Sequence, residues 1–289
     1  MKFHPLYGDF GVEASGLDVS RGLDDEILTA LSQALYKHRL LVLRGQDCDK
    51  DAYLAFGRRW GAPIPHVLDH MRMPGYPEML VVGNTEAKDK KEEIRNGAAL
   101  WHTDQSYEAV PASATMLYAL QVPEGGGPTL YCDMVAAYRD LDEAMKARID
   151  RLEVGHSYGA GKIRADELRV NPIINDDQRG RVPAIYHPLV RRHHVTGEPA
   201  LYALGHGAFA IKGMPDDEAE ALLDELKDHC LQERYIHAHR YQVGDIAIWD
   251  TFLTMHRAVP IDVATGKADA RLLWRISVRG KPDVHAKAA

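Results

Sequence analysis

Three residues in this sequence have the types and spacing of a metal site. His102 and Asp104 belong to a Trp-His-Thr-Asp segment, and His256 lies much further along the chain. Because side chains alternate along a β-strand, the His-x-Asp spacing predicts that both ligands project from one face. Two imidazoles and one carboxylate on one face of a metal form the ligand set of non-haem Fe(II) oxygenases, which leaves positions open for a co-substrate and O2. The residues therefore predict a redox metal centre.

Short segments of alternating hydrophobicity predict the strands that must position these ligands. The predicted strands are 11–18, 40–43, 79–82, 114–122, 129–133, 184–190, 201–204, 235–241, 245–249 and 271–278. Many short strands with few helices are typical of a double-stranded β-helix, or jelly roll, with helices packed outside it. Such a fold brings distant strands together, so that His256 can meet His102.

Helical periodicity and capping residues predict four helices, and the remaining segments predict loops. The helices are 24–38, 49–60, 134–152 and 216–230. We expect one domain over residues 1–289, with active-site loops near 62–98 and 158–181. The charged run 86–95 is either a solvated surface segment or a lid, because it lies just before the His102 segment.

Composition limits the classes of protein to which the chain can belong. The chain has 289 residues and a formal net charge of −7, so no basic surface recommends a nucleic-acid partner. No apolar run approaches the roughly 20 residues of a membrane span, and the first residues lack the apolar stretch of a signal peptide. The three cysteines are far apart, which indicates reduced thiols. These features predict a cytoplasmic protein without a membrane or nucleic-acid partner.

Further motifs accompany the three ligands. They are Leu41-Val-Leu-Arg-Gly-Gln46, Gly125-Gly-Gly-Pro-Thr129, His187-Pro-Leu-Val-Arg191, Trp249-Asp250, His256-Arg-Ala-Val259 and Arg271-x3-Arg275. With the Trp-His-x-Asp segment, these motifs resemble the taurine dioxygenase and phenoxyacetate-herbicide dioxygenase (TauD/TfdA) family. The resemblance extends over nearly the whole chain, and it is specific for the family and much less so for the substrate.

The resemblance implies a dioxygenase that depends on Fe(II) and uses 2-oxoglutarate and O2 as co-substrates. By this resemblance, His102, Asp104 and His256 bind Fe(II) and are the catalytic residues. Thr129 and Arg271 correspond to the residues that bind the far carboxylate of 2-oxoglutarate. Elementary chemistry favours the same roles, because a guanidinium is a planar fork that suits a carboxylate and a hydroxyl donates one more hydrogen bond.

Arg275 and His66 are the candidates for binding the primary substrate. Arg275 lies an even number of residues beyond Arg271, so a strand would place both on one face. In the resembled family the matching arginine contacts the acidic group of the substrate, which implies a carboxylate, sulfonate or sulfate. His66 matches a substrate-contacting histidine by its offset from Gly61, and His70 is its competitor.

One position of the family pattern is not matched. The family has an asparagine shortly before the His-x-Asp motif, where this chain has Ala98, and Asn96 is the nearest asparagine. This departure argues against taurine as the substrate. We also expect Tyr107 and Phe209 to line the pocket, and Asp250 either to orient a ligand or to cap a turn.

The sequence as a whole predicts a dioxygenase that hydroxylates a C–H bond of a small anionic organic substrate, with succinate and CO2 as co-products. One alternative is a specialised biosynthetic hydroxylase or desaturase of an amino-acid-like substrate. Another is a non-redox metal hydrolase, because zinc accepts the same ligands. An intact ligand set disfavours a non-catalytic binding protein. A homo-oligomer, either a dimer or a tetramer, is expected because these states are common in the family.

Overall fold

Strands make up most of the regular structure of this protein. The computed structural model describes residues 1–161 and 174–286. The strands are β1 (Lys2–Tyr7), β2 (Phe10–Ser15), β3 (Leu40–Leu43), β4 (Ala62–Pro63), β5 (Arg72–Met73), β6 (Tyr76–Gly83), β7 (Ala114–Gln121), β8 (Thr129–Asp133), β9 (Glu153–His156), β10 (Ile185–Pro188), β11 (Val190–Arg192), β12 (Pro199–Leu201), β13 (Ala208–Ile211), β14 (Ile236–His239), β15 (Ile246–Asp250), β16 (Thr254–Ala258) and β17 (Leu272–Arg279).

Helices are fewer and mostly short. The α-helices are α1 (Asp25–His38), α2 (Lys50–Arg59), α3 (Glu92–Arg95), α4 (Met134–Arg139), α5 (Glu143–Ile149), α6 (Asp176–Arg181), α7 (Asp216–Cys230) and α8 (Asp283–Ala286). Single 3₁₀ turns lie at Val19–Arg21, Asp69–Met71, Ala87–Lys90 and Glu233–Tyr235. None of the helices within residues 1–161 and 174–286 has the length and apolar character of a membrane-spanning segment.

A nine-stranded sheet forms the larger layer of the fold. Its strands run in the order β1-β2-β3-β15-β7-β17-β6-β5, and β4 pairs with β17 beside this path. The β2–β3 pair is parallel, whereas β17 runs antiparallel to both β7 and β6. Strands that are distant in sequence are therefore neighbours, because β15 lies between β3 and β7.

A smaller sheet with the order β14-β8-β16 carries the second group of site residues. His256 lies on β16 opposite Tyr131 of β8, and Thr129 at the start of β8 lies opposite Ala258. Two further small sheets, β10-β9-β13 and β11-β12, complete the strand pairing of the described residues. This mainly β architecture with flanking helices confirms the predicted jelly roll.

An interior cluster of apolar and aromatic side chains joins the larger sheet to the smaller one. It contains Phe10, Leu40, Val42, Leu117, Ala119, Tyr131, Tyr241, Ala247, Trp249 and Leu273, all buried. The outer face of the larger sheet is covered by α1 and α2, whose Leu28, Leu31 and Tyr53 are fully buried. This packing confirms the apolar stripes predicted for both helices.

Several predicted strands have shifted ends in the structure; those expected over 11–18, 201–204 and 235–241 are Phe10–Ser15, Pro199–Leu201 and Ile236–His239. Two predicted elements are divided. The expected helix 134–152 is broken into α4 and α5, because Asp142 begins a new helix by accepting a hydrogen bond from the Met145 amide. The expected strand 184–190 ends at Pro188, and Val190 opens a separate strand. Within the predicted loop 158–181, residues 162–173 lie outside the described residues, and 176–181 form α6.

Candidate metal and co-substrate site

His102, Asp104 and His256 form one compact cluster. One potential ligand atom from each residue lies within 4.8 Å of those of the other two. Nε2 of His102 is 3.7 Å from Oδ1 of Asp104, and Nε2 of His256 is 3.7 Å from Oδ2 of the same carboxylate. The fold thus brings together the three residues that the sequence singled out, and the two histidines contribute nitrogens that face the carboxylate.

Backbone pairing holds the two histidines side by side. The His102 amide donates to the His256 carbonyl at 3.0 Å, and the His256 amide donates back at 2.9 Å, which forms an isolated antiparallel bridge. The expected extended strand does not continue past His102. Residues 104–107 form a turn in which Gln105 has a left-handed φ of 49°. The turn, rather than the alternation of a strand, therefore carries Asp104 to the imidazoles.

The protonation states of the cluster suit a divalent metal. His102 Nδ1 donates to the Leu100 carbonyl at 2.7 Å, which leaves the lone pair on Nε2. Burial lowers the pKa of both His102 and His256, so both rings are neutral. Burial raises the pKa of Asp104, but the positive charge of Arg275 outweighs it and holds that pKa well below its usual range. Metal ligands must be deprotonated, and these three are.

An unpartnered oxygen gives a further test of whether a metal fits here. Oδ2 of Asp104 is buried and has no hydrogen-bond partner among residues 1–161 and 174–286. A buried carboxylate oxygen without a donor is costly unless a cation binds it. This oxygen lies 3.7 Å from His256 Nε2, so a cation between them could bind both. Two imidazole nitrogens and one carboxylate oxygen are the donor set that suits Fe(II) with open coordination positions.

Arg275 is tied to the carboxylate ligand. Its Nη2 donates to Asp104 Oδ1 at 2.7 Å and to Ser277 Oγ at 3.0 Å. The Ser277 hydroxyl lies 2.9 Å from Oγ1 of Thr115 on the neighbouring strand. This buried network fixes the Arg275 guanidinium beside the metal cluster, with its Nε still unpartnered among the described residues.

A cavity of about 160 Å³ opens next to the cluster. His66, His102, Asp104 and Arg275 line it, together with apolar and aromatic residues that include Tyr107. Thr129 and Arg271 are not among its lining residues. The lining therefore includes two guanidiniums, of Arg95 and Arg275, and two imidazoles besides that of His102, of His66 and His206. Two carboxylates, of Asp89 and Glu93, and an apolar wall complete it, on the same side as the candidate metal ligands.

His66 enters this cavity as a neutral imidazole. Its Nδ1 accepts a hydrogen bond from the Leu68 amide at 3.1 Å, which leaves the hydrogen on Nε2. Burial, reinforced by the nearby Arg275, lowers the pKa of His66 to about 3. His66 can thus donate a hydrogen bond without carrying charge. The competitor His70 is exposed and does not line the cavity.

The segment before His102 forms one wall of the cavity. Ile94, Arg95 and Ala98 line it. Arg95 is anchored, because it donates to the carbonyl oxygens of Ile261 and Asp89 at 2.7 and 2.8 Å. The Asn96 side chain accepts from the Ile261 amide at 3.0 Å, so its amide group serves the structure of this wall.

Thr129 and Arg271 lie in the interior, away from the cavity. Arg271 is 5% exposed and forms no ion pair with any carboxylate in the described ranges. Burial lowers the pKa of Arg271, and the Tyr241 ring lies 5.8 Å from its guanidinium carbon. A Cβ on Gly127 would come within 3.1 Å of the Arg271 side chain, so the glycine turn leaves room for this arginine. A buried guanidinium without an anion is the expected environment of a carboxylate-binding group.

Sequence reasoning missed two residues beside Arg271. The Tyr241 hydroxyl lies 3.1 Å from Thr129 Oγ1, and Asn84 accepts the Arg271 amide hydrogen at 2.7 Å. Neither residue stands in a motif with recognisable spacing. The only signal for Tyr241 is its place at the end of a predicted strand next to the Val243-Gly-Asp245 turn.

Of the remaining residues that the sequence suggested, some line the cavity and others do not. Tyr107 lines the cavity, but Phe209 is 40% exposed and packs over Gly155, so that expectation was wrong. Asp250 caps a turn by accepting from the Phe252 amide, and its other oxygen lies 3.0 Å from His193 Nε2. Trp101 and Trp249, which flank the motifs, are buried aromatics.

Comparison with known proteins places this site in a family. Residues 2–277 match the family model described as taurine catabolism dioxygenase TauD, TfdA family. A 2,4-dichlorophenoxyacetate dioxygenase of Burkholderia sp. (strain RASC), described as alpha-ketoglutarate-dependent, is 30% identical over 293 residues, which cover 96% of each chain. An alpha-ketoglutarate-dependent sulfate ester dioxygenase of Pseudomonas putida is 29% identical over 97% of this chain and 90% of its own.

A solved structure agrees with these relatives. AAD-2 in complex with Mn(II) and N-oxalylglycine superposes with a TM-score of 0.79 at 27% identity, and the match covers 96% of this chain and 98% of the other. The chain therefore belongs to the TauD/TfdA family of alpha-ketoglutarate-dependent dioxygenases, and it is an oxidoreductase that uses Fe(II), 2-oxoglutarate and O2.

Proposed function

We propose that this protein hydroxylates a C–H bond of a small anionic organic substrate at an iron held by His102, Asp104 and His256. The observation that carries the proposal is the arrangement of the two arginines. Arg275 lies with Asp104 beside the cavity, whereas Arg271 is buried elsewhere in the interior without an acidic partner among the described residues. Two anion-binding groups suit a reaction with one dicarboxylate co-substrate and one anionic primary substrate.

Each residue has a distinct task in this proposal. The two imidazoles and Asp104 hold the iron, whose bound form supplies the oxidation of the C–H bond, coupled to decarboxylation of 2-oxoglutarate to succinate and CO2. Arg271 and Thr129 bind the far carboxylate of 2-oxoglutarate and so set its orientation. The apolar wall of the cavity excludes water from the reacting carbon.

Arg275 and His66 bind the acidic group of the primary substrate in this proposal. The guanidinium has nitrogen atoms that Asp104 does not use, and the neutral His66 can donate from Nε2. A carboxylate, sulfonate or sulfate accepts both kinds of hydrogen bond. The relatives named for a phenoxyacetate and for sulfate esters support this range of head groups.

The proposal is tested by anaerobic difference spectroscopy of the protein with Fe(II) and then 2-oxoglutarate. We expect a weak visible charge-transfer band in the wild type and none in His102→Ala. His70→Ala removes an exposed histidine from a nearby loop and is the matched control, which should keep the band. A panel of carboxylates, sulfonates and sulfates can then be screened by the change that each causes in the band. Absence of the band from folded, Fe(II)-loaded wild type would contradict the proposal.

We also propose the wider setting of the enzyme. Residues 1–289 form one domain, with cavity loops from 62–98 and 158–181, and the protein is a cytoplasmic homo-oligomer, either a dimer or a tetramer. The lining residues contributed by 62–98 support the first point. Three free, buried cysteines support a reducing compartment. Light scattering in solution tests the oligomeric state.

A further inference from the structure

Three hydroxyl groups form a buried chain beside Arg271. The Tyr131 hydroxyl lies 3.4 Å from that of Tyr241, which in turn lies 3.1 Å from Thr129 Oγ1. All three residues are buried, with exposures of 0% for Tyr131, 4% for Tyr241 and 2% for Thr129. Burial raises the pKa of both tyrosines, so each keeps its hydroxyl hydrogen.

The number of hydrogens in this chain leaves one without an acceptor. Each hydroxyl carries one hydrogen, and three hydroxyls in a row make two hydrogen bonds. One hydrogen therefore remains without an acceptor: on Thr129 or Tyr131 if the hydroxyls donate in sequence, or on Tyr241 if both ends donate to it. No further acceptor for any of the three is found within the described ranges. A buried donor without an acceptor is costly, so the free end needs a ligand.

The surroundings of Arg271 indicate which hydroxyl of the chain points its hydrogen toward a ligand. The guanidinium lies 5.8 Å from the Tyr241 ring and lacks an acidic partner among the described residues, so an anion is the ligand that this region lacks. Both tyrosines lie close enough to Arg271 to affect its pKa, and the Tyr131 ring packs against that of Trp249 with centroids 5.4 Å apart. Thr129 is two residues from Gly127, where a Cβ would lie 3.1 Å from the Arg271 side chain, so the Thr129 end is the one beside this arginine. If Tyr131 donates to Tyr241 and Tyr241 donates to Thr129, the Thr129 hydroxyl can donate its own hydrogen to an anion beside Arg271.

We propose that Tyr241 is a positioning residue for 2-oxoglutarate. By donating its hydrogen to Thr129 Oγ1, it turns the Thr129 hydrogen toward the far carboxylate of the co-substrate, next to Arg271. Tyr131 donates to Tyr241 and strengthens this chain, since donors in series polarise one another. The inference rests on the proposed function, and it adds a residue that does not itself contact the co-substrate.

The test compares two ligands of the full-length, Mn(II)-loaded protein by isothermal titration calorimetry. N-oxalylglycine has the second carboxylate, and oxamate has the same oxalyl head without it. Tyr241→Phe should weaken binding of N-oxalylglycine by about tenfold, as expected for one hydrogen bond to a charged group, and leave oxamate binding unchanged. A general structural defect would weaken both ligands together, and that result would overturn the inference.

A double-mutant cycle tests whether Tyr241 acts through Thr129. Thr129→Ala should weaken N-oxalylglycine binding to a similar extent, and adding Tyr241→Phe to it should cause no further loss. Full additivity of the two changes, or wild-type binding by Tyr241→Phe, would refute the positioning role. If wild-type Mn(II) protein binds neither ligand, the proposed function itself fails, which is a separate outcome.

Discussion

Arg271 and Arg275 are four residues apart in the chain, but they differ in whether a carboxylate pairs with them and in whether they line the cavity. Arg275 lines the cavity and forms an ion pair with Asp104, in which Nη2 lies 2.7 Å from Oδ1. Arg271 is buried among tyrosines, with a lowered pKa and no acidic partner in residues 1–161 and 174–286. Leu273 between them packs in the interior cluster, as their shared face predicts. Arg271 immediately before β17 and Arg275 within it therefore differ in their partners: Arg275 is ion-paired beside the candidate metal cluster, and Arg271 has the environment that we propose for binding a separate anion.

The difference has an electrostatic consequence. A cation that already has a buried carboxylate partner gains less from a second anion than an unpaired cation does, because its desolvation is partly compensated. We therefore expect Arg271 to contribute more to binding of 2-oxoglutarate than Arg275 contributes to binding of the primary substrate.

The largest effect is expected from Arg271→Ala. Truncating one partner of a buried, hydrogen-bonded charge pair costs about 2–5 kcal/mol, so binding of 2-oxoglutarate should weaken by at least about 30-fold. Arg271→Lys keeps the charge without the planar fork and should lie between the wild type and alanine variants. The titration of the charge-transfer band with 2-oxoglutarate measures both. An equal loss of 2-oxoglutarate binding in Arg275→Ala would contradict the division of roles.

Arg275→Ala should have a smaller and different effect. We expect kcat/KM for an anionic substrate selected in the spectroscopic screen to fall by about 10- to 100-fold, which corresponds to loss of a hydrogen bond to a charged group. The KM for 2-oxoglutarate should change much less, because Arg271 is intact. Steady-state kinetics with each substrate varied in turn measures the split. A neutral analogue of the same substrate is the control, since its turnover should depend less on Arg275.

A change that is small at neutral pH and grows as pH falls is expected for His66, which lies on the Arg275 side of the site. Its pKa of about 3 in the folded protein is below the ordinary value of 6.5, so the unfolded state binds the proton first as pH falls. The stabilisation from neutral, buried His66 is present above pH 6.5 and is lost progressively as pH falls toward 3. His66→Gln should therefore show a shallower fall in the free energy of unfolding, by up to about 1.4 kcal/mol per pH unit in this range.

Chemical denaturation at a series of pH values measures this slope. His70→Gln is the matched control, because an exposed histidine has little burial to lose. Identical slopes for wild type and His66→Gln would show that His66 is not held neutral by burial. An imidazole signal of His66 that titrates near pH 6.5 in the folded protein would show the same.

Some features of this protein follow from the sequence alone. The alternating segments predict a mainly β fold, because a half-buried strand needs that pattern. His102 and Asp104 are predicted as ligands by residue type and local spacing, and His256 is predicted by the resemblance of its His256-Arg-Ala-Val259 motif to the family. Arg271 and Arg275 are placed on one interior face by their even separation. Apart from the resemblance that identifies His256, each of these inferences uses information within a few residues.

Other features were decided only by the tertiary structure. The turn with Gln105 in the left-handed region replaced the expected strand after His102, because pairing with His256 ends at that residue. The ion pair between Arg275 and Asp104, and the contact between Tyr241 and Thr129, join parts of the chain that are far apart in sequence. Local spacing carries no information about such contacts. They depend on which strands become neighbours when the sheets close, and that arrangement is set by the packing of the whole interior.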